Sequence, residues 1–260
     1  MNPQDLRQRL ARGEKLLGFA VTYPAPGILE TIGRDWDFVW IDAQHGQISY
    51  HEAMQLVRTA DSLGLDTLLR VPGREFGVVG PFADMAPSAI MMPMVDTPAD
   101  AAEAVRVSRF SPLGTRSFGG RRPIDLYSRE YYLQNEPVLV AQLETPGAIE
   151  NAREIAGTDG IDGLMFGPDD FKVGLGINIS SALLETPVLK EAMKRTAEAA
   201  AAAGKFAAAI TPTPEMVDYA KELGFQLFIG GSDSHFLRAT SNSQSTMLRA
   251  HVGQSPRDAR

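Results

Sequence analysis

Two carboxylate sites sit at comparable points of the chain. Val138 to Leu143 is a short apolar run that ends at Glu144, and Ile161 to Phe166 is a second run followed by Asp169 and Asp170. If both runs are parallel strands of one sheet or barrel, both carboxylates emerge at its carboxyl-terminal edge, where such folds keep their chemistry. Hard acidic oxygens converging there suit a divalent cation. Other run ends enlarge the set: Asp42, Gln44 and His45 follow Phe38 to Ile41, Arg70 lies in Thr67 to Val71, and Gln142 precedes Glu144. Together these side chains can bind a metal and an anionic substrate and can move protons.

Each has a plainer role. A lone histidine is often structural, Arg70 can pair with a buried acid, and Asp170 in GPDD can cap a helix. Glu144 is harder to assign that way, because a Glu between a buried run and Thr-Pro has little capping value. Location at one edge is what favours function. Gly230-Gly231-Ser232-Asp233 reads as a turn plus a cap.

The lysines bear on mechanism. A Schiff base needs a lysine inside the barrel or at a strand exit, and Lys15, Lys172, Lys190, Lys194, Lys205 and Lys221 read as helix, loop or pre-strand positions. Carbanion chemistry here would therefore use a metal as its electron sink. No Gly-x-Gly-x-x-Gly turn follows a strand, which argues against a dinucleotide site, and no organic cofactor is expected.

The elements needed to position these groups alternate regularly. An amphipathic helix at about Pro3 to Arg12 precedes apolar runs at Leu16 to Val21, Phe38 to Ile41, Thr67 to Val71, Ala89 to Met92, Val138 to Leu143, Ile161 to Phe166, Phe206 to Ile210 and Phe225 to Gly230. Helical patterns lie between them: Ser49 to Leu63 with Ser49 as cap, an Ala-rich helix after Thr97, Pro146 to Ile155, Thr186 to Ala203, and Pro214 to Leu223. About eight strand-then-helix units predict an α/β chain folded as a (β/α)₈ TIM barrel, with a doubly wound open sheet as the alternative. No linker or repeat is visible, so residues 1–260 read as one domain with a core at about 16–239. Residues 240–260 are polar, either an arm that docks on a neighbouring subunit or a disordered tail. Ser111 to Pro137 reads as a structured loop over the active edge.

Composition sets limits. The 260 residues are 44% hydrophobic, enough for a large core, and the net charge of −7 argues against a nucleic-acid surface. There is no cysteine, which excludes thiolate chemistry and disulfides. Residues 1–20 lack the uninterrupted apolar core expected of a signal peptide, and no run approaches the ~20 apolar residues of a membrane span. The chain reads as soluble and cytoplasmic.

Several motifs together resemble the metal-dependent (class II) aldolases of the 4-hydroxy-2-oxoheptanedioate aldolase type, in the pyruvate/phosphoenolpyruvate barrel superfamily with the citrate lyase β subunit. They are WDFVWIDAQHG at 36–46, LLRVPG at 68–73, MMPMVDT at 91–97, PLGTRS at 112–117, VAQLETPGAIEN at 140–151 and DGLMFGPDDF at 162–171. The resemblance implies reversible cleavage of a 4-hydroxy-2-oxo acid to pyruvate and an aldehyde through an enolate, with Mg²⁺, Mn²⁺ or Co²⁺ held by Glu144 and Asp170. Arg70 would stabilise the enolate oxygen. His45 would be the general base, oriented by Asp84. Gln142 would contact the oxo acid, Asp42 would face the aldehyde, and backbone amides of Gly167, Pro168 and Asp169 would hold the substrate carboxylate. The resemblance also implies a homo-oligomer, a trimer or hexamer.

Three departures bear on substrate choice: MAPSAI after Asp84, Gln44 beside His45, and Arg121 and Arg122, which could meet a second substrate carboxylate. Oxaloacetate decarboxylation, with or without acceptor capture of the kind macrophomate synthase carries out, is the alternative. Coenzyme A thioester lysis and a non-catalytic oxo-acid-binding barrel come after it.

Overall fold

The structure is a computed structural model that describes residues 3–255. The chain opens with α1 (Pro3–Ala11), then runs β1 (Leu16–Val21), α2 (Pro26–Ile32), β2 (Phe38–Asp42), α3 (Tyr50–Leu63), β3 (Asp66–Arg70), α4 (Phe76–Ala83), β4 (Ala89–Met92) and α5 (Pro98–Ser108). The second half holds α6 (Arg121–Tyr127), β5 (Val138–Leu143), α7 (Pro146–Glu150), α8 (Ala152–Gly157), β6 (Gly163–Phe166) and α9 (Pro168–Gly174). It ends with α10 (Pro187–Ala202), β7 (Phe206–Ile210), α11 (Pro214–Leu223), β8 (Leu227–Ser232) and α12 (Asp233–His251). The eight parallel strands pair in chain order and β8 returns to β1, so the sheet is a closed barrel and the open-sheet alternative falls.

Strand residues alternate between two cores, as a period of two requires. Leu16, Phe38, Leu68, Val138, Phe206 and Leu227 point inward, and Leu6 and Leu10 of α1 join them as a floor at the amino-terminal end. The outward set, including Phe19, Val39, Ile41, Leu69 and Phe166, packs against the helices. Burying each large apolar side chain contributes about 1.5–3 kcal/mol. Helices stop where the backbone must turn left-handed: Gly64 at φ 74° ends α3 and Gly224 at φ 91° ends α11. Arg9 of α1 reaches both Asp37 (3.0 Å) and the fully buried Asp66 (3.2 Å) at the starts of β2 and β3.

One expectation changes here and another is narrowed. Residues 111–137 join the end of α5 to the start of β5, so they lie at the amino-terminal face and not over the active edge. Their contacts agree: Phe110 N–H donates to Glu136, Arg116 pairs with Asp84, and Arg122 donates to the Met85 carbonyl and to Asp61, on the far end of α3. The segment also contains a helix, α6. The polar tail is a helix as well, since α12 runs without a break through 240 to His251; residues 256–260 lie outside the described ones. Among the described residues no helix is long and apolar enough to cross a membrane.

Candidate active site

Strand register brings the site together. Asp42 pairs with Arg70 across β2 and β3, and Leu143 pairs with Phe166 across β5 and β6, so Glu144 and Gly167 leave the barrel side by side. Gly167 is needed there: a Cβ on it would stand 2.7 Å from the Glu144 Cβ and 3.0 Å from Gln142 Nε2. Asp170 enters from the first turn of α9.

A single hydrogen-bonded network joins these residues. Arg70 grips Asp42 with both arms of its fork, Nε to Oδ1 at 2.9 Å and Nη2 to Oδ2 at 2.7 Å, and Nη1 reaches Gln142 Oε1 at 3.4 Å. Gln142 Nε2 donates to Glu144 Oε2 at 2.6 Å, and the Met94 N–H donates to Glu144 Oε1 at 2.7 Å. Met94 adopts φ 52°, a left-handed conformation that costs a non-glycine residue about 1–3 kcal/mol. The Trp40 ring lies 4.8 Å from the Arg70 guanidinium carbon. Asp42, Arg70, Gln142 and Glu144 are all buried.

Burial pushes the Glu144 carboxyl up to about 7; the neighbouring charge of Asp170 and a hydrogen bond with it push the same way, against the Met94 N–H and Arg70. A cation bound here could take the place of the proton that burial favours on Glu144. Among the described residues no three His, Asp or Glu side chains converge as a metal cluster. Glu144 and Asp170 nevertheless fit a hard divalent ion that takes its remaining oxygens from substrate and water. For Asp42, burial raises the pKa, but the hydrogen bonds and charge of Arg70, with the His45 and Gln44 N–H groups, hold it below the usual carboxylate range.

Several expected roles change. The Asp42 carboxylate, expected to face the aldehyde, is held by Arg70 and by the N–H groups of Gln44 (3.1 Å) and His45 (3.2 Å). Gly167 spends its N–H on the Leu143 carbonyl and Pro168 has none, so an anion at this turn would meet the amides of Asp169 and Asp170. The exposed Asp169 pairs with Lys172 at 3.3 Å. Asp84 follows α4, near the amino-terminal end of β4, and accepts a hydrogen bond from Arg116 at 2.7 Å; His45 follows β2 at the opposite end. Asp84 therefore cannot orient the His45 ring of its own chain. Arg121 pairs with Asp125, and Arg122 is committed as described above, both on the amino-terminal face of this chain.

Sequence reasoning missed Met94, which acts through its main chain and leaves no side-chain signal. It also left Asp233 as part of a cap. The cap of α12 is Ser232, whereas Asp233 is buried and bonds to Thr22 and Tyr23 in the loop after β1.

A closed barrel with a clamped arginine and a carboxylate pair at its carboxyl edge is suited to carbon–carbon lyase chemistry. The family described as HpcH/HpaI aldolase/citrate lyase matches residues 26–239, and the chain belongs to it. It is 30% identical over 238 residues to a 4-hydroxy-2-oxovalerate aldolase of Novosphingobium aromaticivorans, covering 88% of each chain. It is 28% identical over 250 residues to a hydroxypyruvate/pyruvate aldolase of Delftia acidovorans, covering 93% of this chain and 91% of the relative. Among solved structures, an aldolase/citrate lyase family protein from Burkholderia cenocepacia superposes with a TM-score of 0.86 at 26% identity, over 95% of this chain and 99% of that one.

Proposed function

We propose that the protein cleaves a 4-hydroxy-2-oxo acid reversibly into pyruvate and an aldehyde, with a divalent ion (Mg²⁺, Mn²⁺ or Co²⁺) at Glu144 and Asp170. The observation that carries this reading is the unbroken network from Asp42 through Arg70 and Gln142 to Glu144 beside Asp170. It sets a fixed guanidinium next to a carboxylate pair, one for developing negative charge and one for a cation.

When bound, the ion would polarise the 2-oxo group of the substrate. Arg70, held in one plane by Asp42, meets negative charge as it grows on the same oxygen, and its geometry needs no rearrangement in the transition state. His45 accepts the proton of the C4 hydroxyl. The C3–C4 bond then breaks, its electron pair passes into the C2–C3 double bond of the pyruvate enolate, and the aldehyde leaves. The first-turn amides of α9 face the substrate carboxylate, and Gln142 spans the guanidinium and the carboxylate pair. Lys172 is committed to Asp169 and to the Ile179 carbonyl, which leaves it unsuited to Schiff-base formation.

The reading also takes the protein as a cytoplasmic homo-oligomer, a trimer or hexamer. Support for association comes from large apolar side chains left exposed on and just past α12, at Leu237, Met247, Leu248 and Val252. The test is pyruvate release from 4-hydroxy-2-oxovalerate with Mg²⁺ or Mn²⁺, repeated after EDTA. Turnover that requires the ion and is lost in Glu144→Gln supports the proposal; undiminished turnover in Glu144→Gln and Asp170→Asn rejects it.

A further inference from the structure

We infer that Asp233 is a positioning residue for the turn that carries His45, and so for the proton transfer of carbon–carbon cleavage; this rests on the function proposed above. Asp233 lies one residue past β8, on the opposite side of the barrel mouth from Glu144, and is 1% exposed. Its carboxylate accepts four donors. Thr22 Oγ1 donates to Oδ1 at 2.7 Å, Ser234 N–H to Oδ1 at 2.7 Å, Tyr23 N–H to Oδ2 at 3.0 Å, and Thr22 N–H lies 3.0–3.1 Å from both oxygens. Three of these donors belong to the loop after β1. Charge-assisted bonds of this kind are about twice as strong as neutral ones, so the anion fixes Thr22.

Thr22 in turn fixes the loop after β2. Its carbonyl accepts the Gln47 N–H at 2.8 Å, while Gly46 N–H donates to the Asp42 carbonyl at 3.2 Å. Gly46 is wedged between the two loops: a Cβ there would stand 2.3 Å from the Asp42 carbonyl oxygen and 3.1 Å from that of Thr22. His45 is thus held from two sides, by Asp42 through its own N–H and by Asp233 through Thr22, Gly46 and Gln47. Joined to the Asp42–Arg70–Gln142–Glu144 network, the chain of contacts passes round the mouth from β8 to β5.

The two halves of this ring serve different steps. Cleavage of a 4-hydroxy-2-oxo acid needs a base for the C4 hydroxyl proton; the O–H pair becomes the aldehyde π bond and the C3–C4 pair forms the enolate. Oxaloacetate loses its C4 carboxylate as carbon dioxide, with the C3–C4 pair forming the same enolate and no hydroxyl proton to remove. In both reactions C3 later takes a proton from water. A shifted His45 turn would slow the first reaction and spare the second.

The experiment measures both reactions of Asp233→Asn in the full-length protein with Mn²⁺. An amide at Nδ2 would face the Tyr23 N–H as donor against donor, so the Thr22 loop should move. Expected are a fall of roughly 10–100-fold in kcat for 4-hydroxy-2-oxovalerate cleavage, as a displacement near 1 Å can cause, an unchanged KM, and a change of less than about twofold in oxaloacetate decarboxylation. Equal losses in both reactions, or no loss in either, overturn the inference. Thr22→Val removes the Oγ1 donor to Asp233 without touching Asp42 and is expected to give the same split; it decides the matter if Asp233→Asn does not fold. Absence of cleavage in the wild type would instead reject the proposed function.

Discussion

Replacing Glu144 with Gln tests whether a proton and a divalent ion compete for one place. Glu144 is buried, its carboxyl is pushed up to about 7 by burial first and by Asp170 as well, and it accepts hydrogen bonds from Gln142 and Met94. Below that value an incoming ion must displace a proton, so its apparent affinity should weaken by about tenfold for each pH unit. The dissociation constant for Mn²⁺ near pH 5 should therefore be about a hundredfold weaker than near pH 8, with the slope levelling at about pH 7. Titration calorimetry in buffers of different ionisation enthalpy should count close to one proton released near pH 6 and almost none near pH 8. In Glu144→Gln binding should be weak and flat across this range. A wild-type affinity that does not change between pH 5 and pH 8 would refute the competition and with it the placing of the ion at Glu144.

The same shift has a consequence for stability, with a definite sign. A carboxyl whose folded pKa lies above its ordinary value near 4.5 favours the fold while protonated. That contribution is complete below about 4.5, declines by about 1.4 kcal/mol per pH unit, and is gone above about 7. The ion-free wild type should lose stability relative to Glu144→Gln over this window, and saturating Mn²⁺ should remove the loss.

Arg70→Lys keeps the charge but cannot reproduce the two-point grip on Asp42, so kcat should fall by roughly 10²–10³-fold, measured by pyruvate release, with little change in KM. Gly167→Ala places a Cβ against Glu144 and Gln142 and should weaken Mn²⁺ binding by at least about tenfold in calorimetry while leaving the circular dichroism spectrum intact. Arg9→Ala leaves the carboxylate of Asp66, already raised in pKa by burial, without its cation, and should cost about 2–3 kcal/mol in urea denaturation, less than the 3–5 typical of a fully buried pair because Arg9 is partly exposed. That penalty should shrink towards acid pH as Asp66 takes up its proton, and kcat of the folded protein should not change.

Much of the fold was legible because most strand residues, inward and outward, had to be apolar, and because Ser49 and Thr97 stand as side-chain signals at the starts of α3 and α5. Glu144, Asp170, Arg70 and Asp42 were legible as a group because each stands at or near a strand exit. Residues 111–137 were misplaced by composition, although connectivity alone puts a segment between a helix end and the next strand at the amino-terminal face. That Asp84 stands at the end of the barrel away from the His45 of its own chain was not legible either, since its motif says nothing about which end it occupies. The helix through 240–251 packs on little of its own chain, so the barrel core imposed no apolar periodicity on it and none announced it. What Asp42 does was hidden for another reason: pairing with Arg70 depends on the register of two strands, a relation that no local pattern encodes.

The charges of the site explain why its acids are arranged unequally. Without ligand, Arg70 and Asp42 cancel, and below about pH 7 Glu144 carries a proton beside Asp170. A divalent ion that displaces the proton adds one net positive charge, and a 2-oxo acid carboxylate removes it again. Ion and oxo acid together thus exchange for one proton with no change in the net charge of a buried site, whereas either alone alters it by one unit in surroundings where an uncompensated charge is costly. The two ligands should consequently bind with positive coupling, and by reciprocity pyruvate should tighten Mn²⁺ by the same factor that Mn²⁺ tightens pyruvate. Coupling of about 1–3 kcal/mol is the usual range, and calorimetric titration of each ligand in the presence and absence of the other measures it. Independent binding would mean that the proton on Glu144 does not hold the balance assigned to it.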